Sequence, residues 1–337
     1  MTSAIIRQGM NFIREKQQEG ADVRVAPKFQ DKDFPTPGQI CDEKTALPVE
    51  GGGFGIRKVK ISSEQSGFSY FLDGIERKQV LAYLRSIPVI YGYVAGAILK
   101  RTDKKMGPAG FERAEEMFYL PLKSNDSPEH YFSPDEVAGL RKNIKNSGIK
   151  DKDGNHPILP EQFIQAAHSE IQTQRNNIEA ELIQLWVSGN HNDGWLYVDG
   201  RLEKQRKPLI AGANVVGVIK SHQASYFNPD EQYRIYAMQN GERTHIFQPA
   251  DRNGDAENVY SWYLRLHYDK RQGTNNFGIV RVEVPAEKRF IALADTISEW
   301  ILLETKPIAF PASRWDRMIY PVKYCEDYLK SKAPTIM

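Results

Sequence analysis

Trp195-Leu196-Tyr197-Val198-Asp199-Gly200 reads as a short buried strand that delivers a carboxylate at its end. Phe71-Leu72-Asp73-Gly74 repeats the pattern, with a strand expected over Gly67–Leu72 and its exit at Asp73-Gly74. Asp-Gly is the best short hairpin-turn signal, so each segment taken singly is first a turn. Strand-end acids are also what a divalent cation needs, because the strand fixes the carboxylate and the glycine leaves space for a substrate backbone. A third apolar strand, Asn214–Ile219, ends at Lys220, whose ammonium at a buried strand end suits a carboxylate or a phosphate, or else snorkels to the surface.

The segment preceding the second strand has no Gly or Pro between Pro160 and Gly189, which predicts a long helix capped by Gly189. Ile178, Leu182, Leu185 and Trp186 recur at i, i+4, i+7 and i+8 and define its apolar stripe. At 100° per residue, Glu179 lies about 50° from the middle of that stripe and Glu181 about 110° away. Of the acids Glu170, Glu179 and Glu181, Glu179 is therefore expected on the core side, where a metal ion would compensate its charge. Glu181 is expected in solvent.

Outward from this centre, strand-like runs occur at Gln79–Leu84 and Val89–Leu99, and a polar surface insertion at residues 124–157. A strand pair is expected at Tyr260–His267 and Gly278–Val284, joined by a turn around Gly273, and then a helix within Ala292–Leu303. Residues 4–18 repeat Ile5, Ile6, Met10, Phe12 and Ile13 as a short amphipathic helix. Residues 20–58, rich in Pro and containing Gly51-Gly52-Gly53-Phe54-Gly55, are expected to be an irregular arm. That glycine run lacks the Lys of a phosphate cradle and is read as a flexible joint. The expected division is an arm over 1–60 and an α/β domain over 61–337, with a mixed sheet flanked by helices and an insertion near 100–160.

The 45 Lys and Arg against 43 Asp and Glu in 337 residues exclude a polycation and an acidic tail, so any nucleic-acid contact must be a local patch. Two cysteines, Cys41 and Cys325, make neither a disulfide framework nor a Cys-based zinc site. The N-terminus lacks a signal-peptide core and no run of 18 apolar residues occurs, so the expected location is the cytoplasm, without a membrane span. P-loop, H-E-x-x-H, C-x-x-C and G-x-S-x-G motifs are absent. An Asp on an early strand, a Glu on a helix and an Asp on a later strand describe an RNase H-like site for two Mg²⁺ or Mn²⁺ ions roughly 4 Å apart. Asp73, Glu179 and Asp199 are the candidate ligands. Arg281 and Glu283 share a strand face and either pair with each other or offer Arg281 to a phosphate. Aromatics at 226–236 and 260–268 either stack on unpaired bases or pack the core.

Four segments together resemble the NurA nucleases: Phe71–Gly74, Trp195–Gly200, Val215-Val216-Gly217-Val218-Ile219-Lys220-Ser221, and Gly278-Ile279-Val280-Arg281-Val282-Glu283-Val284-Pro285. The likeness runs from about 65 to 325, with a diverged stretch at 100–160. It implies an RNase H-like fold, metal-binding Asp73 and Asp199, and a helix Glu at Glu179 in an R-x-x-x-E setting with Arg175. It further implies a dimer that cuts DNA with Mn²⁺ or Mg²⁺, alongside a HerA-type hexameric ATPase, in end processing or phage defence. The sequence departs from the family pattern from Phe310 on, where the family's Tyr and His are missing and the nearby Asp316 is either a stand-in ligand or a helix-cap or ion-pair residue. Glu76 replaces a small hydroxyl residue, either as an added ligand or as a partner of Arg77 or Lys78. His222 either approaches the site or faces solvent. These departures keep open a catalytically silent subunit that regulates the ATPase, and an RNA-cutting enzyme of similar fold.

Overall fold

The structure, a computed structural model, describes Gln18 and residues 42–84, 87–137, 144–150, 153–189, 194–202, 210–221, 224–251, 253–269, 275–306 and 315–334. The N-terminal helix expected over 4–18, His222, the turn at Gly273 and Phe310 lie outside them.

The strands in chain order are β1 (Asp42–Glu43), β2 (Thr45–Pro48), β3 (Ile56–Lys58), β4 (Phe68–Leu84), β5 (Ile87–Thr102), β6 (Lys105–Leu120) and β7 (Ile144–Asn146). After helix α1 (Pro160–Ser188) come β8 (Trp195–Asp199), β9 (Val215–Ile219), β10 (Ala224–Ser225) and helix α2 (Pro229–Ala237). Then follow β11 (Glu242–Thr244), β12 (Phe247–Ala250), β13 (Val259–Arg265), β14 (Ile279–Pro285), α3 (Lys288–Glu304) and α4 (Tyr320–Lys332). Twelve strands form one mixed sheet in the order β2-β12-β13-β14-β9-β8-β4-β5-β6-β7, with β11 joining β3 to β13. At its centre β8 runs parallel to both β4 and β9, whereas β4–β5 and β5–β6 are antiparallel. The chain is thus mixed α/β with helices on both faces of a large sheet.

Alternation along the strands sorts the two faces. Tyr70, Leu72, Leu196 and Val198 pack with Ile171, Ile178 and Leu182 of α1. Phe71, Tyr197, Val216 and Val218 pack on the other face with α3 and with Val322 and Cys325 of α4. α1 starts with Pro160 at N1, and the Gln162 side chain accepts from the Ile158 and Leu159 N–H groups. The expected stripe holds at Ile178, Leu182 and Trp186, but Leu185 is exposed and Ile183 takes the buried position. The helix lies across three strands, so its buried face is wider and turned relative to the four-residue stripe.

Three expectations are corrected. Asp73-Gly74 is not a strand exit: β4 continues to Leu84 because β5 pairs with it along its length, from Tyr70↔Lys100 to Leu84↔Ile87. The arm over 20–58 is not irregular throughout, since β2 pairs with β12 and β3 with β11. Pro48 is tolerated because β2 is an edge strand. The stretch near 100–160 is part sheet, with β6 paired to β5 before the irregular, polar 124–137. No helix among the described residues is long and apolar enough to cross a membrane.

Candidate functional site

Register places the two aspartates side by side. Leu72 pairs with Val198, so Asp73 and Asp199 are the next residues on adjacent parallel strands, on the face covered by α4. β8 stops there, while β4 runs on with β5 as its one paired neighbour among the described residues. The sheet therefore opens beside Asp73 into a cleft of about 450 Å³. Asp73, Asp199 and Lys220 lie on its strand side, Arg175 comes from α1, and Arg317, Lys323, Glu326 and Lys330 come from the α4 side.

Gly200, at φ +142°, turns the chain sharply away after Asp199, in backbone space that favours glycine. Gly74 serves a different purpose. A Cβ there would collide with the Glu179 carboxylate and press on Arg175 Cγ. Glu179 thus approaches from the α1 face through the space that Gly74 leaves, buried as its helical position predicted. Arg175 Nε stands 3.6 Å from Glu179 Oε1. Glu181 faces outward and pairs with Arg113, and Glu170 pairs with Lys145.

Burial, then the Asp199 charge, raise the Asp73 carboxyl well above the usual range; Glu179 adds to this and Lys220 opposes it. The Gly74 N–H donates to Asp73 Oδ1 at 2.8 Å. Lys220 Nζ lies 2.9 Å from both oxygens of Asp199, so the pair holds its ammonium at the cleft wall. Arg317 Nη1 donates to the Lys220 carbonyl at 2.6 Å and fixes the end of β9 against the turn before α4. Beneath the pair, burial and the charges of Asp73 and Asp199 push the Cys325 thiol up, so it is a packed neutral group.

Asp316 is buried away from the cleft lining, accepting from the Gly278 N–H at 2.6 Å and pairing with Arg317 at 3.3 Å. Of the two readings open for Asp316, stand-in ligand or cap and ion-pair residue, the structure shows the ion pair. Glu76 borders the cleft and pairs with Lys78 at 3.0 Å. Arg281 is corrected from a phosphate contact to an internal group. It is buried, 2.7 Å from Glu283 Oε1 and 4.9 Å from the Tyr226 ring centroid. Missing from the sequence reading was the contribution of α4. Pro321 in its first turn and Val322, Cys325 and Leu329 at i, i+3, i+7 were the available signal.

The donor chemistry is all carboxylate, which fits a hard divalent ion, and the repulsion that raises Asp73 is the charge such an ion would neutralise. Asp73 and Asp199 are the residues that would hold it. Among the described residues, however, no group of three or more His, Cys, Asp or Glu side chains stands close enough to hold a metal. Lys220 engages Asp199 and Arg175 faces Glu179. No family model matches this chain, and no curated protein does.

Proposed function

We propose that this chain is a metal-dependent DNA nuclease with an RNase H-like core. The observation that carries the proposal is the in-register pair Asp73 and Asp199, meeting where β8 ends and β4 continues, with Glu179 packed over Gly74 near enough for its charge to raise the Asp73 carboxyl. An early-strand Asp, a helix Glu and a later-strand Asp on adjoining elements are what that core requires. Mn²⁺ or Mg²⁺, when bound, supplies Lewis acidity toward the scissile phosphate.

The chain's own groups do the rest. Asp73 and Asp199 position the cation. Lys220, held at the end of β9, and Arg175, from α1, supply positive charge for phosphate oxygens. Arg317 keeps the Lys220 backbone in place. The near-balanced charge of the whole chain suits DNA that is delivered by a partner, which we take to be a HerA-type hexameric ATPase acting on a NurA dimer.

Digestion of linear duplex and single-stranded DNA with Mn²⁺, Mg²⁺ or EDTA, with and without that ATPase, tests this. Cleavage that needs metal and vanishes in Asp199→Asn is expected. No metal-dependent cleavage under any of these conditions would sink the proposal, and better cleavage of RNA would move the substrate class. One observation favours a second reading, a catalytically silent subunit that regulates the ATPase. The Lys220–Asp199 ion pair, with no three-acid group around it among the described residues, is what a site without a metal would keep. Full biological function in an Asp73→Ala/Asp199→Ala double variant decides for it.

A further inference from the structure

A second pocket, of about 290 Å³, lies on the α2 face and has no part in the acid cleft. Its walls are Phe54, Phe227 and Phe247, with ring centroids 5.3 Å apart for Phe54–Phe227 and 5.0 Å for Phe227–Phe247. Two polar groups point to a ligand with donors. His245 Nδ1 lies 3.1 Å from the Gly53 carbonyl, which can only accept, so Nδ1 donates and Nε2 is the acceptor of the neutral ring. Glu231, in the first turn of α2, adds a carboxylate.

The glycine run is what holds this arrangement. Cβ atoms at Gly51 or Gly55 would overlap the His245 ring, so the run wraps the imidazole instead of serving as a loose joint. Among the described residues no Lys or Arg lines the pocket, which argues against a phosphate inside it. Arg234 sits outside, its guanidinium 4.8 Å from the Phe54 ring centroid.

Aromatic walls, acceptors within and a cation beyond the aromatic wall match an unpaired base whose phosphate stays outside. We infer that this pocket binds one unpaired nucleobase bearing an exocyclic amino group, adenine or cytosine, of a single strand whose continuation reaches the acid cleft. The inference rests on the nucleic-acid reading of that cleft. The two sites lie on opposite faces of the sheet, because Phe247 shares the face of Tyr263 and Asp199 shares that of Val218. Five residues lie between Lys220 and Tyr226, a lining residue, which bounds their Cα separation at about 21 Å. Three strand spacings, about 14 Å, separate β9 from β12, which carries Phe247.

Binding in EDTA separates this from catalysis. The full chain is titrated with a short single strand carrying one 2-aminopurine, with the same strand abasic at that position, and with a blunt duplex. The wild type should quench the 2-aminopurine and bind it roughly ten- to a hundredfold tighter than the abasic strand, the range one stacked base contributes. Phe54→Ala and Phe227→Ala should erase that preference, and His245→Ala should reduce it. Equal binding of the abasic strand by the wild type overturns the inference, as does an unchanged preference in the Phe variants or equal preference for the duplex. If the alanine variants do not fold, Phe227→Leu and the abasic comparison on the wild type decide. Metal-dependent cleavage without base preference removes the pocket and leaves the nuclease; base preference without cleavage does the reverse.

Discussion

Replacing Asp73 by Asn probes the electrostatics of the cleft while keeping its shape, because the Asn carbonyl can still accept the Gly74 N–H. Burial, Asp199 and Glu179 raise the Asp73 carboxyl, so its contribution to stability is fully present below the ordinary value of 3.8. It is lost as pH rises through the higher folded value. The Asn variant suffers no such loss. Wild type and variant should therefore melt together in acid, and the variant should pull ahead as pH rises. The gap should widen by about 1.4 kcal/mol per pH unit within the window and then level off. For 337 residues the unfolding entropy is about 0.7 kcal/mol/K, so the gap grows about 2 °C per pH unit. Melting curves in EDTA from pH 4 to pH 9 measure it. Adding Mn²⁺ should raise the wild type and leave Asp73→Asn unmoved, narrowing or reversing the gap. A variant that melts lower at every pH, or a gap that ignores pH, would refute the reasoning and make Asp73 a structural residue of β4.

Three further outcomes follow from buried groups elsewhere. Arg281→Ala should cost about 3 kcal/mol in urea unfolding, because it strands the Glu283 carboxylate in the core; a variant of normal stability that merely binds DNA less would restore Arg281 to the surface. Among the described residues the buried Tyr197 hydroxyl has no hydrogen-bond partner, so Tyr197→Phe should be neutral or stabilise by about 1 kcal/mol, and a clear loss of stability would point to a partner outside them. Burial tends to raise Glu50, but Arg243, the Ile246 N–H and Arg57 override it and hold the carboxyl near about 2. Its contribution is present above the ordinary 4.5 and lost as pH falls toward 2, so Glu50→Gln should cost about 1–2 kcal/mol at neutral pH, discounted for solvent screening, and almost nothing near pH 2.

The parts of the fold legible in the sequence were those where local signals and burial agree. α1 lacks breakers over 29 residues, and β8 and β9 are apolar on both faces, so their places and the positions of Glu179, Asp199 and Lys220 could be read directly. Asp73-Gly74 misled because a turn signal is local, whereas pairing with β5 is decided by residues some 25 positions away. The same holds for β2 and β3, short edge strands whose partners lie about 190 residues downstream. Arg281 was ambiguous because a strand face does not say whether it meets solvent or another layer. Nothing local told that Tyr226 and Glu283 would enclose it.

The unequal lengths of β4 and β8 give the cleft two mechanical regimes. Up to Leu72 the chain is hydrogen-bonded on both sides, whereas beyond Asp73 it is a cantilever carried by β5 and clamped at Arg77, whose guanidinium donates to the Lys330 and Pro334 carbonyls. Asp73 thus stands at the root of the beam, where deflection is smallest. The outer span therefore sets the width of the mouth and the root sets the geometry of the acids, two separate parts of one strand.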